Sequence, residues 1–87
     1  MYVIIVYDVS EKRVNKICNF LRQYMNWVQN SVFEGELTEK ELETVKNKIK
    51  EIIDEETDSV NFYIFLSEKQ VKKTHLGFLK NNISNIL

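Results

Sequence analysis

Short runs of strand-forming residues alternate along this chain with two helical stripes of apolar residues, and this order restricts the folds that it can adopt. Residues 2–7 (YVIIVY) are β-branched or aromatic and end at Asp8, a pattern typical of a buried strand. Residues 60–66 (VNFYIFL) predict another strand. Residues 26–37 mix strand formers with turn formers, so we expect two short strands there, with the position of the turn left open.

Two helices separate these strands. From Glu11 onward, apolar residues recur at spacings of three and four, which predicts an amphipathic helix with Ser10 as its N-cap. The second helix has a clearer start, because Thr38 and Glu41 match a capping box. The apolar stripes are Val14, Ile17, Cys18, Leu21 and Met25 in the first helix, and Leu42, Val45, Ile49, Ile52 and Ile53 in the second.

In this order the elements predict an α+β protein with a ferredoxin-like βαββαβ fold, in which two helices cover one face of a four-stranded antiparallel sheet. We assign residues 1–66 to this core and residues 67–87 to a C-terminal tail, whose closing residues resemble an extra strand. Apolar residues fall on both faces of the strand at residues 60–66, which is unfavourable in a monomer. A homodimer with packed sheets would cover the bare face.

Composition excludes several classes of protein. A chain of 87 residues is long enough for one domain only. With Cys18 as the single cysteine, an internal disulfide or a cysteine-based metal cluster cannot form, and we expect Cys18 to be an inert core residue. The sequence contains neither a signal peptide nor an apolar run long enough to cross a bilayer. We therefore expect a cytoplasmic protein with no membrane partner.

Charge is distributed unevenly along the chain. Residues 34–58 contain ten acidic and four basic residues, whereas the rest of the chain contains three acidic and eight basic residues. Those eight are Lys12, Arg13, Lys16, Arg22, Lys69, Lys72, Lys73 and Lys80. If they converge in space they form a positive face suited to a polyanion, while the simpler interpretation is solvated surface charge.

Asp8 has two interpretations at this stage. A carboxylate that follows a buried strand commonly caps the next helix or its entry turn, but it can also be part of a site. The other candidates have simpler explanations. Glu11 suits a first helical turn, Phe33 a strand core, and His75 the surface, since it has no second histidine or cysteine nearby.

Four segments together resemble a known family. They are YDVSEKR at the end of the first strand, VQNSVFEGEL in the middle, an acidic second helix, and DSVNFYIF before a basic tail. Residues 2–66 and the total length are similar to the small CRISPR-associated Cas2 proteins, which work with the Cas1 integrase when bacteria and archaea acquire new spacers.

The resemblance implies a homodimer of ferredoxin-like protomers with sheets packed face to face. The C-terminal strand, here residues 82–87, would cross to the partner's sheet. Asp8 stands where the family has its metal-associated residue. Many members are described as metal-dependent nucleases on RNA or DNA, and others act as the bridge between two integrase dimers. One departure is Trp27, where members often have a basic residue, so a phosphate contact there is lost or replaced by stacking.

Our leading hypothesis is a homodimer that binds duplex DNA as a scaffold for spacer integration and contacts the Cas1 integrase. The second hypothesis, from the enzyme class, is a metal-dependent endonuclease. Two Asp8 carboxylates across a dimer axis would share Mg²⁺ or another divalent cation, with Asp8 as the catalytic residue of an endonuclease. Duplex DNA, or RNA, would be bound without base readout by a basic set that comprises Arg13, Lys16, Arg22, Lys72 and Lys73. Alternatives are an RNA-cleaving toxin of related fold and a non-catalytic ferredoxin-like dimerisation module.

Overall fold

The computed structural model describes residues 1–78. In this range it contains four strands, two α-helices and one short 3-10 helix. The elements are β1 (Tyr2–Asp8), α1 (Glu11–Leu21), β2 (Asn26–Gln29), β3 (Val32–Glu36), α2 (Glu39–Ile52), β4 (Ser59–Phe65) and the 3-10 helix Glu68–Gln70. The strand predicted at residues 82–87 lies outside the described residues, and the division into a core and a tail at residue 66 stays a prediction.

The strands form one antiparallel sheet with the order β2-β3-β1-β4. On the central strand β1, Ile5 lies opposite Phe33 of β3 and Phe62 of β4. The turn that the sequence left open falls between β2 and β3, where Asn30 has a φ of 44°, a left-handed conformation that asparagine tolerates. The predicted ferredoxin-like α+β fold is confirmed.

Alternation along the strands gives the sheet two different faces. Val3, Ile5 and Tyr7 of β1 face the helices and belong to the same buried cluster as Ile17 of α1 and Val45 of α2. Successive side chains point to opposite faces, so the other face of β1 carries Tyr2, Ile4, Val6 and Asp8. We call this second face, which neither α-helix covers, the open face.

The two α-helices begin in different ways. The capping box of α2 is confirmed, because the Glu41 N–H donates to Thr38 Oγ1 at 3.0 Å and the Thr38 N–H donates to Glu41 Oε1 at 2.9 Å. Ser10 stands at the N-cap position of α1, but its hydroxyl makes no capping hydrogen bond to any described residue. The predicted N-cap position of Ser10 is confirmed, but the Arg13 N–H donates to the Ser10 carbonyl at 2.8 Å and not to the hydroxyl. No helix in the described part of the chain is long and apolar enough to cross a membrane.

Candidate metal centre and nucleic-acid interface

Asp8 is the last residue of β1, on the open face, and its side chain is exposed. Its backbone pairs with Ser59 at the start of β4, so the sheet fixes the position of its Cα. Among residues 1–78, no hydrogen bond or ion pair involves the Asp8 carboxylate. The interpretation of Asp8 as a helix cap is therefore wrong, and its oxygens face solvent.

The carboxylate that accepts a hydrogen bond at the N-terminal end of α1 belongs to Asp58. Its Oδ1 accepts from the Ser10 N–H at 3.0 Å and its Oδ2 from the Asp54 N–H at 3.0 Å. Arg13 donates from Nε to Oδ2 at 2.6 Å and from Nη2 to Oδ1 at 3.1 Å, and Thr57 Oγ1 lies 3.4 Å from Oδ1. The Asp58 side chain is 1% exposed. One buried carboxylate thus joins α1 to the loop between α2 and β4.

These contacts determine the protonation of the pair. The hydrogen bond from Arg13, together with those from the backbone N–H groups of Asp54 and Ser10, lowers the pKa of Asp58 well below its usual range. The hydrogen bond to Asp58 in turn raises the pKa of the Arg13 guanidinium. Asp58 is therefore ionised and Arg13 charged across the physiological range.

The predicted basic residues on α1 fall into two groups. Lys16 and Arg22 are exposed, as a phosphate contact requires. Arg13 is half-buried, and its guanidinium is engaged by Asp58, so part of its hydrogen-bonding capacity is already used. Its role as a nucleic-acid contact stays a prediction.

Lys72 and Lys73 lie on the opposite side of the sheet from α1. Lys73 Nζ donates to Glu34 Oε2 at 2.6 Å and to Tyr2 Oη at 3.3 Å, and both partners belong to the open face. Its neighbour Lys72 is exposed. Both lysines line a groove of about 530 Å³ between residues 71–75 and the sheet. One protomer therefore does not bring Lys72 and Lys73 together with Lys16 and Arg22 on one face.

Metal-ligating side chains do not cluster in one copy of the described residues. Within residues 1–78, no three His, Cys, Asp or Glu side chains lie close enough to hold an ion together. Mg²⁺ in proteins takes one or two carboxylates and completes its shell with water and substrate phosphate oxygens. An exposed carboxylate such as that of Asp8, which makes no hydrogen bond or ion pair with residues 1–78, is a suitable ligand for such an ion.

The remaining candidates have structural roles. Phe33 is fully buried and its ring stacks 6.2 Å from that of Tyr7. Cys18 is half-buried, with Sγ 2.9 Å from Tyr7 Oη. The Trp27 indole is partly buried against the core and donates to the Asn30 carbonyl at 2.9 Å. His75 is exposed, with Nε2 3.0 Å from the Gly77 carbonyl.

Asp58 was not among the site residues predicted from the sequence. Asp58 belongs to an acidic run that looks solvated, and 45 residues separate it from Arg13. A weak signal was present, because an aspartate in a loop often accepts from a nearby backbone N–H, as Asp58 does from Asp54.

The fold and the site together define a ferredoxin-like α+β protein with an unpaired carboxylate at the end of its first strand. The chain belongs to the family of the CRISPR-associated protein Cas2, whose model matches residues 1–74.

Known relatives agree with this assignment over the full length. The chain is 53% identical to the CRISPR-associated endoribonuclease Cas2 of Methanosarcina acetivorans, with all of both chains covered. It is 56% identical to the protein of the same name from Methanocaldococcus jannaschii, covering all of this chain and 76% of the relative. A crystal structure described as cas2 superposes with a TM-score of 0.87 at 41% identity, covering 100% of this chain and 98% of the other.

Proposed function

We propose that this protein is a homodimeric, metal-dependent endonuclease of a CRISPR system, with RNA as its substrate class. The observation that carries the proposal is the exposed Asp8 carboxylate, which makes no hydrogen bond or ion pair with the described residues. The relatives named endoribonucleases support the choice of RNA. Membership of the Cas2 family supports the CRISPR context.

The homodimer is part of the proposal because one protomer supplies a single Asp8 carboxylate, and two carboxylates would hold the cation more firmly. Two copies that meet near the ends of their first strands would bring two Asp8 carboxylates together, and without a cation these would repel each other. The open face suits such an association, since Ile4, Val6 and Phe65 are only half-buried and Tyr63 is 52% exposed. Packing two such faces would remove this apolar surface from water.

In this proposal, acidic side chains bind the metal and basic side chains bind the phosphates. Asp8 from each protomer would hold the cation, which when bound supplies an activated water and positive charge beside the scissile phosphodiester. Lys16 and Arg22 are exposed on the helix side of the sheet and would hold, by charge, backbone phosphates away from the one that is cleaved. Cations that contact phosphates position a strand without reading its bases, so we expect cleavage with little sequence preference.

The decisive experiment measures cleavage of a fluorescently labelled single-stranded RNA by the purified protein with Mg²⁺ and with EDTA. We expect Asp8→Asn to lower the rate at least a hundredfold, because it removes the anionic ligand from both halves of the site. Glu43→Gln is the matched control, because it removes an exposed carboxylate of α2, and it should cleave like the parent protein. Equal rates in the parent and Asp8→Asn would overturn the assignment of Asp8.

A second candidate function is a scaffold that binds duplex DNA with the Cas1 integrase during spacer acquisition, in the cytoplasm. The observation in its favour is that Lys12, Lys16 and Arg22 are exposed on α1, on the other side of the sheet from the open face. Duplex binding by this surface would not need Asp8. Asp8→Asn should then retain duplex affinity and association with the integrase, whereas Lys16→Ala with Arg22→Ala should lose duplex affinity.

A further inference from the structure

The buried carboxylate of Asp58 holds both backbone segments that flank Asp8. On one side, the Ser10 N–H, two residues beyond Asp8, donates to Asp58 Oδ1 at 3.0 Å. On the other side, Asp58 directly precedes Ser59, the residue that lies opposite Asp8 in the β1–β4 ladder. Asp8 therefore lies between Ser10, which is bonded to Asp58, and Ser59, which follows Asp58 in the chain.

Arg13 makes this connection rigid. Its guanidinium approaches the carboxylate with two nitrogens, at 2.6 and 3.1 Å, a bidentate geometry that restricts orientation as well as distance. Arg13 lies in the first turn of α1, so the ion pair fixes the start of this helix against the start of β4. The chain between β1 and α1, residues 9–10, has little freedom left.

We propose that Asp58, held by Arg13, is a positioning residue for Asp8, because it fixes the backbone from which the Asp8 carboxylate would reach a divalent cation. This inference rests on the proposed function, because it assumes that Asp8 binds metal. Asp58 itself does not touch the cation. Outer-shell groups that hydrogen-bond a metal ligand directly commonly contribute ten- to a hundredfold to metal affinity. Because Asp58 acts only through the backbone, we expect an effect at the lower end of that range.

The hydrogen-bond pattern shows why an amide cannot replace this carboxylate. Both oxygens face donors. Oδ1 accepts from the Ser10 N–H and from Arg13 Nη2. Oδ2 accepts from Arg13 Nε and from the Asp54 N–H. In Asp58→Asn one oxygen becomes an NH₂ group that points at donors. The ion pair and part of the cap are lost although the size of the side chain is preserved.

The test measures Mn²⁺ binding by the full-length protein without nucleic acid, using the EPR signal of free Mn²⁺ to obtain Kd. We expect Asp58→Asn to raise Kd about tenfold and to change the hyperfine pattern of the bound ion. Leu42→Ala is the stability control, because it opens the core in the first turn of α2, a helix that begins at the opposite end of the sheet from Asp8. It should lower thermal stability while leaving Kd unchanged.

Asp8→Asn separates this inference from the function on which it rests. If Asp8→Asn binds Mn²⁺ like the parent protein, the proposed metal site fails. If Asp8→Asn loses binding but Asp58→Asn keeps the parental Kd, the site stands and the positioning role is overturned. A loss in Leu42→Ala equal to that in Asp58→Asn also overturns it, since general destabilisation would then account for the effect.

A second variant covers the case in which Asp58→Asn does not fold. Arg13→Lys retains the positive charge but cannot donate from two nitrogens in one plane, and it leaves the Asp58 carboxylate in place to accept from Ser10. We expect circular dichroism like that of the parent protein with a severalfold higher Kd for Mn²⁺. A parental Kd in this folded variant would contradict the positioning role.

Discussion

Lys73 donates a 2.6 Å hydrogen bond to Glu34 and so ties the segment that follows the 3-10 helix to the open face of its own sheet. The Glu34 side chain is 6% exposed and that of Lys73 is 24% exposed. Lys73 Nζ also lies 5.6 Å from the centre of the Tyr2 ring, within the range of a cation–π contact. Burial lowers the pKa of Lys73, but the hydrogen bonds to Glu34 and Tyr2 outweigh it, so the pKa is raised.

Removal of Lys73 should therefore destabilise the fold. In Lys73→Met the Glu34 carboxylate is left buried without its cation, and we expect the free energy of unfolding in urea to fall by about 1–3 kcal/mol. Lys72→Met is the matched control, because Lys72 is exposed, and it should have little effect. An equal loss in both variants would show that the ion pair contributes nothing specific.

The capping box of α2 allows a second stability prediction. Thr38→Ala removes the acceptor of the Glu41 N–H, which should lower the free energy of unfolding by about 1 kcal/mol. Thr44→Ala, in the same helix, removes a hydroxyl that donates back to the Lys40 carbonyl at 3.1 Å. Because alanine is the better helix former, we expect Thr44→Ala to be neutral or slightly stabilising. Urea unfolding of both variants measures the difference. An equal loss of unfolding free energy in Thr38→Ala and Thr44→Ala would contradict the contribution of the capping box.

The exposed cations of α1 should determine the salt dependence of nucleic-acid binding. The double variant Lys16→Ala and Arg22→Ala removes four cations from a homodimer, and we expect the slope of log affinity against log salt for a DNA duplex to fall by up to about 3–4. Lys40→Ala with Lys50→Ala removes as many exposed cations from α2 and should preserve the slope. Similar losses from both pairs would argue against a binding surface on α1.

The elements of the fold were predictable because their signals are local. The spacing of Leu42, Val45 and Ile49 and the pairing of Thr38 with Glu41 each depend on residues within two helical turns. The β2–β3 turn was harder to place, because several residues between Trp27 and Leu37 can form turns. The left-handed conformation of Asn30 shows which of them does.

The surroundings of the candidate site were not predictable in the same way. Asp58 meets Arg13 across 45 residues and Lys73 meets Glu34 across 39, and such pairs leave no periodic trace in a single sequence. The acidic run before β4 looked solvated, since nothing in its composition separates the buried Asp58 from the exposed Asp54. The position of Asp8, by contrast, followed directly from the end of the first apolar run.

Tyr2 should make the stability of the protein sensitive to alkaline pH. Burial is the main cause that raises the pKa of Tyr2 to about 12, whereas an unfolded tyrosine titrates near 10. A raised pKa in the folded state means that the stabilisation is complete below about pH 10 and is lost as the pH rises toward 12. The raised pKa of Lys73 acts in the same direction.

The slope of unfolding free energy against pH reports how many protons the unfolded and folded states bind differently. We therefore expect Tyr2→Phe to reduce this slope between pH 10 and 12 by an amount that corresponds to up to one proton. Urea unfolding at closely spaced pH values measures this slope. The comparison at pH 8 is the internal control, because there the two proteins differ only by the loss of the hydrogen bond from Lys73 to the phenol. Identical slopes in the alkaline range would mean that folding does not suppress ionisation of Tyr2, and that its phenol is in contact with water on the open face.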